Sequence, residues 1–391
     1  MTSARVGVGV VGFGWMGRAH SRSLRRISSV FPERGLSADL VICADADERA
    51  RVVAADGFGF ARTTASWRDV VTSDDVDVVY VAAPNMMHIE VVEAAASAGK
   101  DVFCEKPVGG TPSQTERAAA VAREANIISG VGYNYRWAPM VIEARRMIAD
   151  GVLGDITNYR GRFLSMYGSN PLGLLTWRYL VDEGGYGVTS DVMSHSVDLA
   201  EYLIGPIMSV VGTTETFIRD RPLPRAASSH YAMGEVGDAT GSVTNEDYAG
   251  MLTVFANGAR GNFEASRSMV GPESQMAFEV YGTEGALSWN FERMNELQLF
   301  LHSDGRYAGY RTVFAGDRFS YHGNFAPGNA NAIGFEDLVT IEDLEFLAAV
   351  DARTPFRPSF EDALRWVRVQ AALLRSAASG NWQEVGSLEV P

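Results

Sequence analysis

Cysteine is almost missing from this chain of 391 residues, which holds only Cys43 and Cys104. They stand 61 positions apart, each inside a predicted strand, so a disulfide framework is excluded and two reduced core thiols are expected. Positive charge is also short, with 34 Lys and Arg against 48 Asp and Glu and a net charge of −14. Such a field repels phosphates, which excludes nucleic acid and anionic membranes as partners and leaves small neutral substrates unaffected. No apolar run approaches the roughly 18 residues of a membrane span, and no basic stretch leads into an apolar one at the start, MTSARVGVGV. A cytoplasmic protein without membrane association is expected. Six scattered histidines with no short Cys/His spacing predict no metal site. Internal repeats and low-complexity segments are absent too.

What is present is apolar material in quantity. At 46% hydrophobic and 21% charged, the chain can fill two cores and exceeds one typical domain. In the first third, Arg5–Val11, Asp39–Ala44, Val76–Ala82, Asp101–Cys104 and Ile127–Gly132 read as strands alternating with helical stretches. This rhythm, with nearly all-apolar strands such as VDVVYVAA, predicts a doubly wound parallel sheet covered on both faces. Beyond about Gly151 come longer segments rich in Tyr, Phe, Thr and Val: ITNYRGRFLSMY, YAGMLTVFAN, ARGNFEASRSM, SQMAFEVYGT, GALSWN and ELQLFLHS. They predict a large, mostly antiparallel sheet. Two helix-period segments, AIGFEDLVTIEDLEFLAAV and FEDALRWVRVQAALLRSAA, are expected to cover that sheet. Pro222–Thr244, rich in Ser, Ala and Gly, reads as a long loop. The fold class is therefore α/β, with a Rossmann domain over 1–135 and an α/β substrate and oligomerisation domain over 136–391.

The turn Gly12-Phe13-Gly14-Trp15-Met16-Gly17 directly follows the first strand. Its first glycine permits a tight turn, its second lets backbone approach a pyrophosphate, and its third lets the next helix pack closely with its N-terminal amides facing the anion. Asp45 closes the second strand, where a carboxylate would accept hydrogen bonds from ribose hydroxyls and repel a 2′-phosphate, so NAD is favoured over NADP. It lies 28 residues past Gly17, and the excess over the usual ~20 falls in the loop-like SSVFPERGLSA. Asp47 is the rival acid.

Two more strand ends border the predicted cofactor cleft. Ala83-Pro84-Asn85, with His88 just beyond, offers an amide to a ribose or nicotinamide, and Glu105-Lys106-Pro107 offers a lysine to a hydroxyl or developing alkoxide. Lys106 could instead pair with Glu105. In GGYGVTSDVMSHSVDLAEYL, Thr189 or Ser190 can cap a helix on which Asp191 and His195, four apart, share a face. Such a pair suits removal of a hydroxyl proton, and equally suits an ordinary hydrogen bond. Tyr133, Tyr135 and Arg136 leave the strand Ile127–Gly132 at the cleft, the latter two beside the cofactor, while Arg160, Arg162, Trp177, Arg178, His322 and Asn331 are candidates for the substrate side.

GFGWMGRAH, the APN turn, CEKP, GYNYRW and GG-x5-D-x3-H-x2-D occur here in one order. On them the chain resembles the Gfo/Idh/MocA oxidoreductase family over almost its whole length. The resemblance implies a Rossmann domain, a second domain with a large open sheet that mediates homo-oligomers such as dimers or tetramers, and hydride transfer at a secondary carbinol of a sugar or cyclitol. It further implies that Lys106, Asp191 and His195 are the catalytic trio and that Gly12, Gly14, Gly17, Asp45, Pro84, Asn85 and Glu105 are cofactor positions. GYNY and APGNANAIGFEDL resemble the subgroup of levoglucosan, L-glucose and scyllo-inositol dehydrogenases, with Asn331 where some relatives carry His. Three readings stay open: a sugar or cyclitol dehydrogenase, including a glycoside 3-oxidising variant; a glycosidase that uses bound NAD transiently; and a non-catalytic, dinucleotide-sensing regulator.

Overall fold

The computed structural model describes residues 4–224 and 232–390. Six strands build the first sheet: β1 (Ala4–Val11), β2 (Leu36–Ala44), β3 (Arg62–Thr64), β4 (Val78–Val81), β5 (Asp101–Cys104) and β6 (Ser129–Val131). They lie in the order β3-β2-β1-β4-β5-β6, all parallel. Helices α1 (Trp15–Val30), α2 (Glu48–Phe58), α3 (Trp67–Val71), α4 (His88–Ser97) and α5 (Pro112–Glu124) connect them. The order reverses between β1 and β4, so a crevice opens at their carboxyl ends, where Gly12 and Ala83 emerge.

The long interval between Gly17 and Asp45 is not a loop. Ser28–Val30 still belong to α1, Pro32–Arg34 form a 3-10 turn, and Gly35, at φ +60°, turns the chain into β2 at Leu36. Ile27 and Phe31, both fully buried, hold this extension down. Cys43 and Cys104 are buried free thiols on β2 and β5, and burial pushes the Cys43 thiol up to about 12.

After α6 (Pro139–Ala149) the second sheet is built from β7 (Ile156–Leu164), β8 (Ile207–Glu215), β11 (Tyr248–Phe255), β12 (Arg260–Ser266), β13 (Gln275–Gly282), β14 (Gly285–Asn290), β15 (Glu296–Leu301), β16 (Arg311–Phe314) and β17 (Gln383–Glu384). Their order is β16-β15-β14-β13-β7-β12-β11-β8-β17, antiparallel except for the central pair β7 and β12. Helices α7 (Val181–Gly184), α8 (Val188–Asp191), α9 (Met193–Leu203), α10 (His322–Phe325), α11 (Phe335–Ala352) and α12 (Phe360–Ser379) complete the chain. The ends of the expected loop at 222–244 pair as a small ribbon, β9 (Asp220–Pro222) with β10 (Thr240–Ser242). Its part at 225–231 lies outside the described residues.

One expectation fails. Of the two helices assigned to the second sheet, α12 packs on β8, but α11 packs on α1 and the first sheet. Leu344, Phe346, Leu347 and Val350 of α11 join Val8, Val10, Tyr80 and Phe103 in one core. Helical periodicity shows that a helix has an apolar stripe, not which sheet receives it.

Candidate active site

The glycine turn is fixed by sterics. Gly12 has φ +91°, and a Cβ there would stand 2.6 Å from the backbone of Ala83, while at Gly17 it would stand 2.0 Å from the Gly12 carbonyl oxygen. At Gly14 it would meet nothing within 4 Å, so this face is free to be approached closely. Gly14 is also the N-cap of α1 and has no side chain to cover the first-turn amides, which therefore stay available to an anion. Phe13 is buried against Phe58 and Phe60, Trp15 is exposed and Met16 half-buried. Asp45 accepts the Phe13 N–H at 2.7 Å with one oxygen and the Asp47 N–H at 2.8 Å with the other, which aims its half-buried carboxylate over the turn. Asp47 instead caps α2 through the Arg49 N–H. These features fit a dinucleotide: a tight turn, an unobstructed glycine, free helix amides and an acid at the end of β2.

Next to it, Asn85 donates to the Gly184 carbonyl at 2.9 Å, joining the APN turn to the segment that leads to Asp191. Pro84 is exposed and Ala83 half-buried. His88 is buried with its two ring nitrogens 2.8 Å from the carbonyls of Pro107 and Ala83. It thereby ties the two cleft turns together. Burial lowers its pKa, against the two carbonyls.

The Lys106 ammonium makes two bonds to one residue, donating to Asp191 Oδ1 at 2.8 Å and to the Asp191 carbonyl at 2.7 Å. The other carboxylate oxygen of Asp191 accepts the Tyr167 hydroxyl at 2.6 Å. Burial would raise the Asp191 carboxyl, but the charges of Lys106 and Arg178 and the bonds from Lys106 and Tyr167 hold it far below the ordinary carboxylate range. His195, 6% exposed, sits edge-on to Tyr133 and Tyr135, with ring centroids at 5.6 and 4.9 Å, and near Phe163 at 6.0 Å. Its Nδ1 has no hydrogen-bond partner among the described residues. Burial first, and Lys106 second, push its pKa well below the ordinary value, so it stands neutral as a ready acceptor.

Two details depart from the sequence expectations. No continuous helix carries Asp191 and His195, because the chain breaks at Val192 between α8 and α9. Thr189 and Ser190 lie inside α8 and cap nothing; Thr189 bonds Glu246 and both hydroxyls accept from Gln370. Asp191 therefore orients Lys106 rather than His195. Glu105 likewise does not pair with the Lys106 ammonium, for its carboxylate turns inward to His20 at 3.0 Å.

Several candidates are engaged elsewhere. Arg136 is buried in a bidentate pair with Asp198, through Nε at 2.7 Å and Nη2 at 2.6 Å. Tyr133 and Tyr135 are buried walls of His195. Arg160 and Arg162 alternate along β7 with Phe163, so they occupy the sheet face away from His195, where both pair with Glu279. Their assignment to the substrate side is corrected on that ground. Trp177 stacks with Arg178 at 4.1 Å in a 3-10 turn, and Arg178 lies within electrostatic reach of Asp191. His322 is fully buried and bonds the Asn331 carbonyl at 2.8 Å, while the Asn331 side chain is exposed. Among the described residues no hydrogen bond or ring contact joins either to the trio, and Tyr321 and Phe325, which flank this turn, pack on Phe31 beyond the far end of α1. Sequence reasoning missed Tyr167, whose role depends on a contact across 24 positions with no motif around it.

The chain is similar to known proteins over almost its whole length. Residues 6–133 match the model for the oxidoreductase family with NAD-binding Rossmann fold, and residues 141–288 match the GFO/IDH/MocA C-terminal domain. The chain is 34% identical over 381 residues to levoglucosan dehydrogenase of Pseudarthrobacter phenanthrenivorans, covering 97% of each chain. It is 24% identical over 371 residues to inositol 2-dehydrogenase of Rhizobium meliloti, covering 95% of this chain and 96% of that one. Among solved structures, levoglucosan dehydrogenase in complex with NADH and levoglucosan superposes with a TM-score of 0.92 at 32% identity, over 98% of this chain and 100% of that one.

Proposed function

We infer the activity from one premise: the chain belongs to the Gfo/Idh/MocA oxidoreductases and carries their NAD-binding Rossmann domain. It is an NAD-dependent dehydrogenase that oxidises a secondary hydroxyl of a sugar, anhydrosugar or cyclitol to the ketone. The observation that carries this reading is the pair at the carboxyl edge of the first sheet, an ammonium clamped on a carboxylate beside a neutral imidazole whose Nδ1 has no partner among the described residues. A sensor has no need of such a set.

Bound NAD supplies the hydride acceptor. Gly12, Gly14, Gly17 and the first amides of α1 hold its pyrophosphate, Asp45 its adenosine ribose, and Asn85 and the EKP turn border its nicotinamide end. Lys106 spends two of its three N–H groups on Asp191 and directs the third to the substrate oxygen. There it stabilises the alkoxide that forms as His195 takes the hydroxyl proton. Burial and Lys106 disfavour the His195 cation, so the resting imidazole is neutral and able to accept that proton. Asp191, held ionised, fixes Lys106 in place, and Tyr167 fixes Asp191.

Residues 1–135 thus serve the cofactor and 136–391 the substrate and self-association through the outer face of the second sheet, in a cytoplasmic homo-oligomer. Among the described residues, no helix is long and apolar enough to cross a membrane. The test is NADH formation by purified protein with levoglucosan, myo- and scyllo-inositol, D- and L-glucose and simple glycosides, with NADP in parallel. Net NADH with one of them supports a dehydrogenase. Glycoside cleavage without net NADH, or NAD binding with no turnover of any compound, sinks it in favour of a glycosidase or a sensor.

A further inference from the structure

Directly behind Lys106 lies a cluster of charge that no step above uses. His20, on α1 three residues past the glycine turn, is 1% exposed. Its Nε2 is 3.0 Å from Glu105 Oε1, and its Nδ1 is 2.9 and 3.1 Å from the two oxygens of Asp343 on α11. Tyr80 and Phe103 pack on the ring at 5.3 and 5.1 Å. The second oxygen of Glu105 accepts the backbone N–H of Lys106 at 3.3 Å.

A neutral imidazole has one N–H and can serve only one of two carboxylates. With an ionised carboxylate on each nitrogen, His20 is an imidazolium; burial opposes its charge, and Asp343 and Glu105 overcome that opposition. The neighbouring Glu342 is fully buried with both oxygens unpartnered among the described residues, and burial pushes its carboxyl well up, so it stays neutral. The buried set therefore resolves into one cation held between two anions. Such an arrangement is a poor source of stability, since a well-packed apolar set of the same volume is often as stable or more so. What it supplies is fixed geometry. It joins three elements: the helix that starts at the cofactor turn, the strand end that carries Lys106, and α11, which is further bound to α1 by the ion pairs Arg22–Glu336 and Arg26–Asp337.

We propose that His20 is a positioning residue for Lys106: shared by Glu105 and Asp343, it locks the backbone at 105–106 to α1, so that the cofactor turn and the lysine move as one body. Lys106 reaches its target on a long flexible stem, and only its backbone and Asp191 define where the ammonium stands. The proposal rests on the reading that Lys106 meets the substrate hydroxyl.

The chain offers an unusual probe, for it contains only two lysines, Lys100 and Lys106. Labelling with ε-¹³C-lysine gives two lysine Cε resonances, that of Lys106 identified by its loss in Lys106→Arg. Lys100, held by the carbonyls of Ser73 and Val76, is the internal control. In His20→Gln the Lys106 signal is expected to move toward that of a freely rotating lysine while Lys100 stays in place. The kcat falls by about 10–100-fold, as for a catalytic group displaced by roughly an ångström, and NADH binding is retained. Added to Lys106→Ala, the substitution costs nothing further, whereas a merely structural role would add its full effect. An unchanged Lys106 signal with unchanged kcat, or full additivity, overturns the proposal. If His20→Gln does not fold, Asp343→Asn, which keeps an acceptor for Nδ1–H and removes one charge, is read in the same way. The resonance needs no turnover, so a wild-type protein inert toward every sugar sinks the dehydrogenase reading while the lysine spectra still decide on His20.

Discussion

The indole of Trp15 lies nearly flat on the ring of Phe335, with centroids 5.2 Å and planes 20° apart. These are the first residues of α1 and α11. Phe335 meets Phe291 at 6.2 Å, Phe291 meets Tyr135 at 4.9 Å, and Tyr135 meets His195 at 4.9 Å. A continuous row of aromatic rings thus runs from the cofactor turn to the proposed base, across two domains.

Trp15→Ala removes the first member of this row. An aromatic pair contributes about 0.5–1.5 kcal/mol beyond its buried area, so NADH affinity is expected to fall by roughly 2–12-fold with the fold intact. Fluorescence titration with NADH checks this, and undiminished affinity would show that the stack does not support the turn.

Lys106→Ala and His195→Ala each remove one proposed chemical group and neither touches the glycine turn. Turnover is expected to fall by about 10²–10⁴, with NADH binding kept. Steady-state kinetics beside a binding titration separates the two effects; equal turnover in either variant excludes that residue.

The pH profile follows from His195. Oxidation needs the neutral imidazole, and burial with Lys106 lowers its pKa well below the ordinary 6.5. The acid limb of kcat is therefore expected below pH 6.5, and Lys106→Met, which removes the nearby positive charge, moves it upward in the residual activity. The unfolded chain binds this proton more readily than the folded one, so stability is also lost as pH falls from about 6.5 toward the folded-state value. A limb that stays in place in Lys106→Met would show that another group limits the rate.

Asp45 decides between cofactors. Asp45→Ser removes the acceptor for a ribose hydroxyl and the charge that repels a 2′-phosphate. The loss of one charged hydrogen bond, about 1.5–3 kcal/mol, lowers NAD affinity tenfold or more and narrows the preference over NADP. Parallel titrations with both nucleotides measure it, and an unchanged ratio would place the discrimination elsewhere.

Much of this protein is written locally. The apolar β-branched runs, the glycine spacing and the acid at the end of β2 all act through contacts between near neighbours in sequence, so the parallel sheet and its cofactor turn could be read directly. The motifs around Lys106, Asp191 and His195 also pointed to segments that the fold brings together, each a strand end or a short helix at one crevice. Roles within the site were not legible. Whether the Asp191 carboxylate serves His195 or Lys106 depends on the break at Val192 and on which oxygen Tyr167 and Lys106 reach.

The same limit explains the misplaced residues. Arg162 is substrate-like in composition but lands on the outer face, because strand alternation sends it opposite Phe163. Helix α11 has a plain apolar stripe yet packs on the sheet that ends some 200 residues before it. Asp343 and His20, 323 positions apart, meet at 2.9 Å. The sequence by itself determined the elements and the chemistry available at their ends, since hydrogen-bonding capacity, charge and backbone freedom belong to single residues. Only the tertiary structure decided which groups share a proton, which cation faces which anion and which rings touch, because those depend on packing between segments that the chain's order leaves far apart.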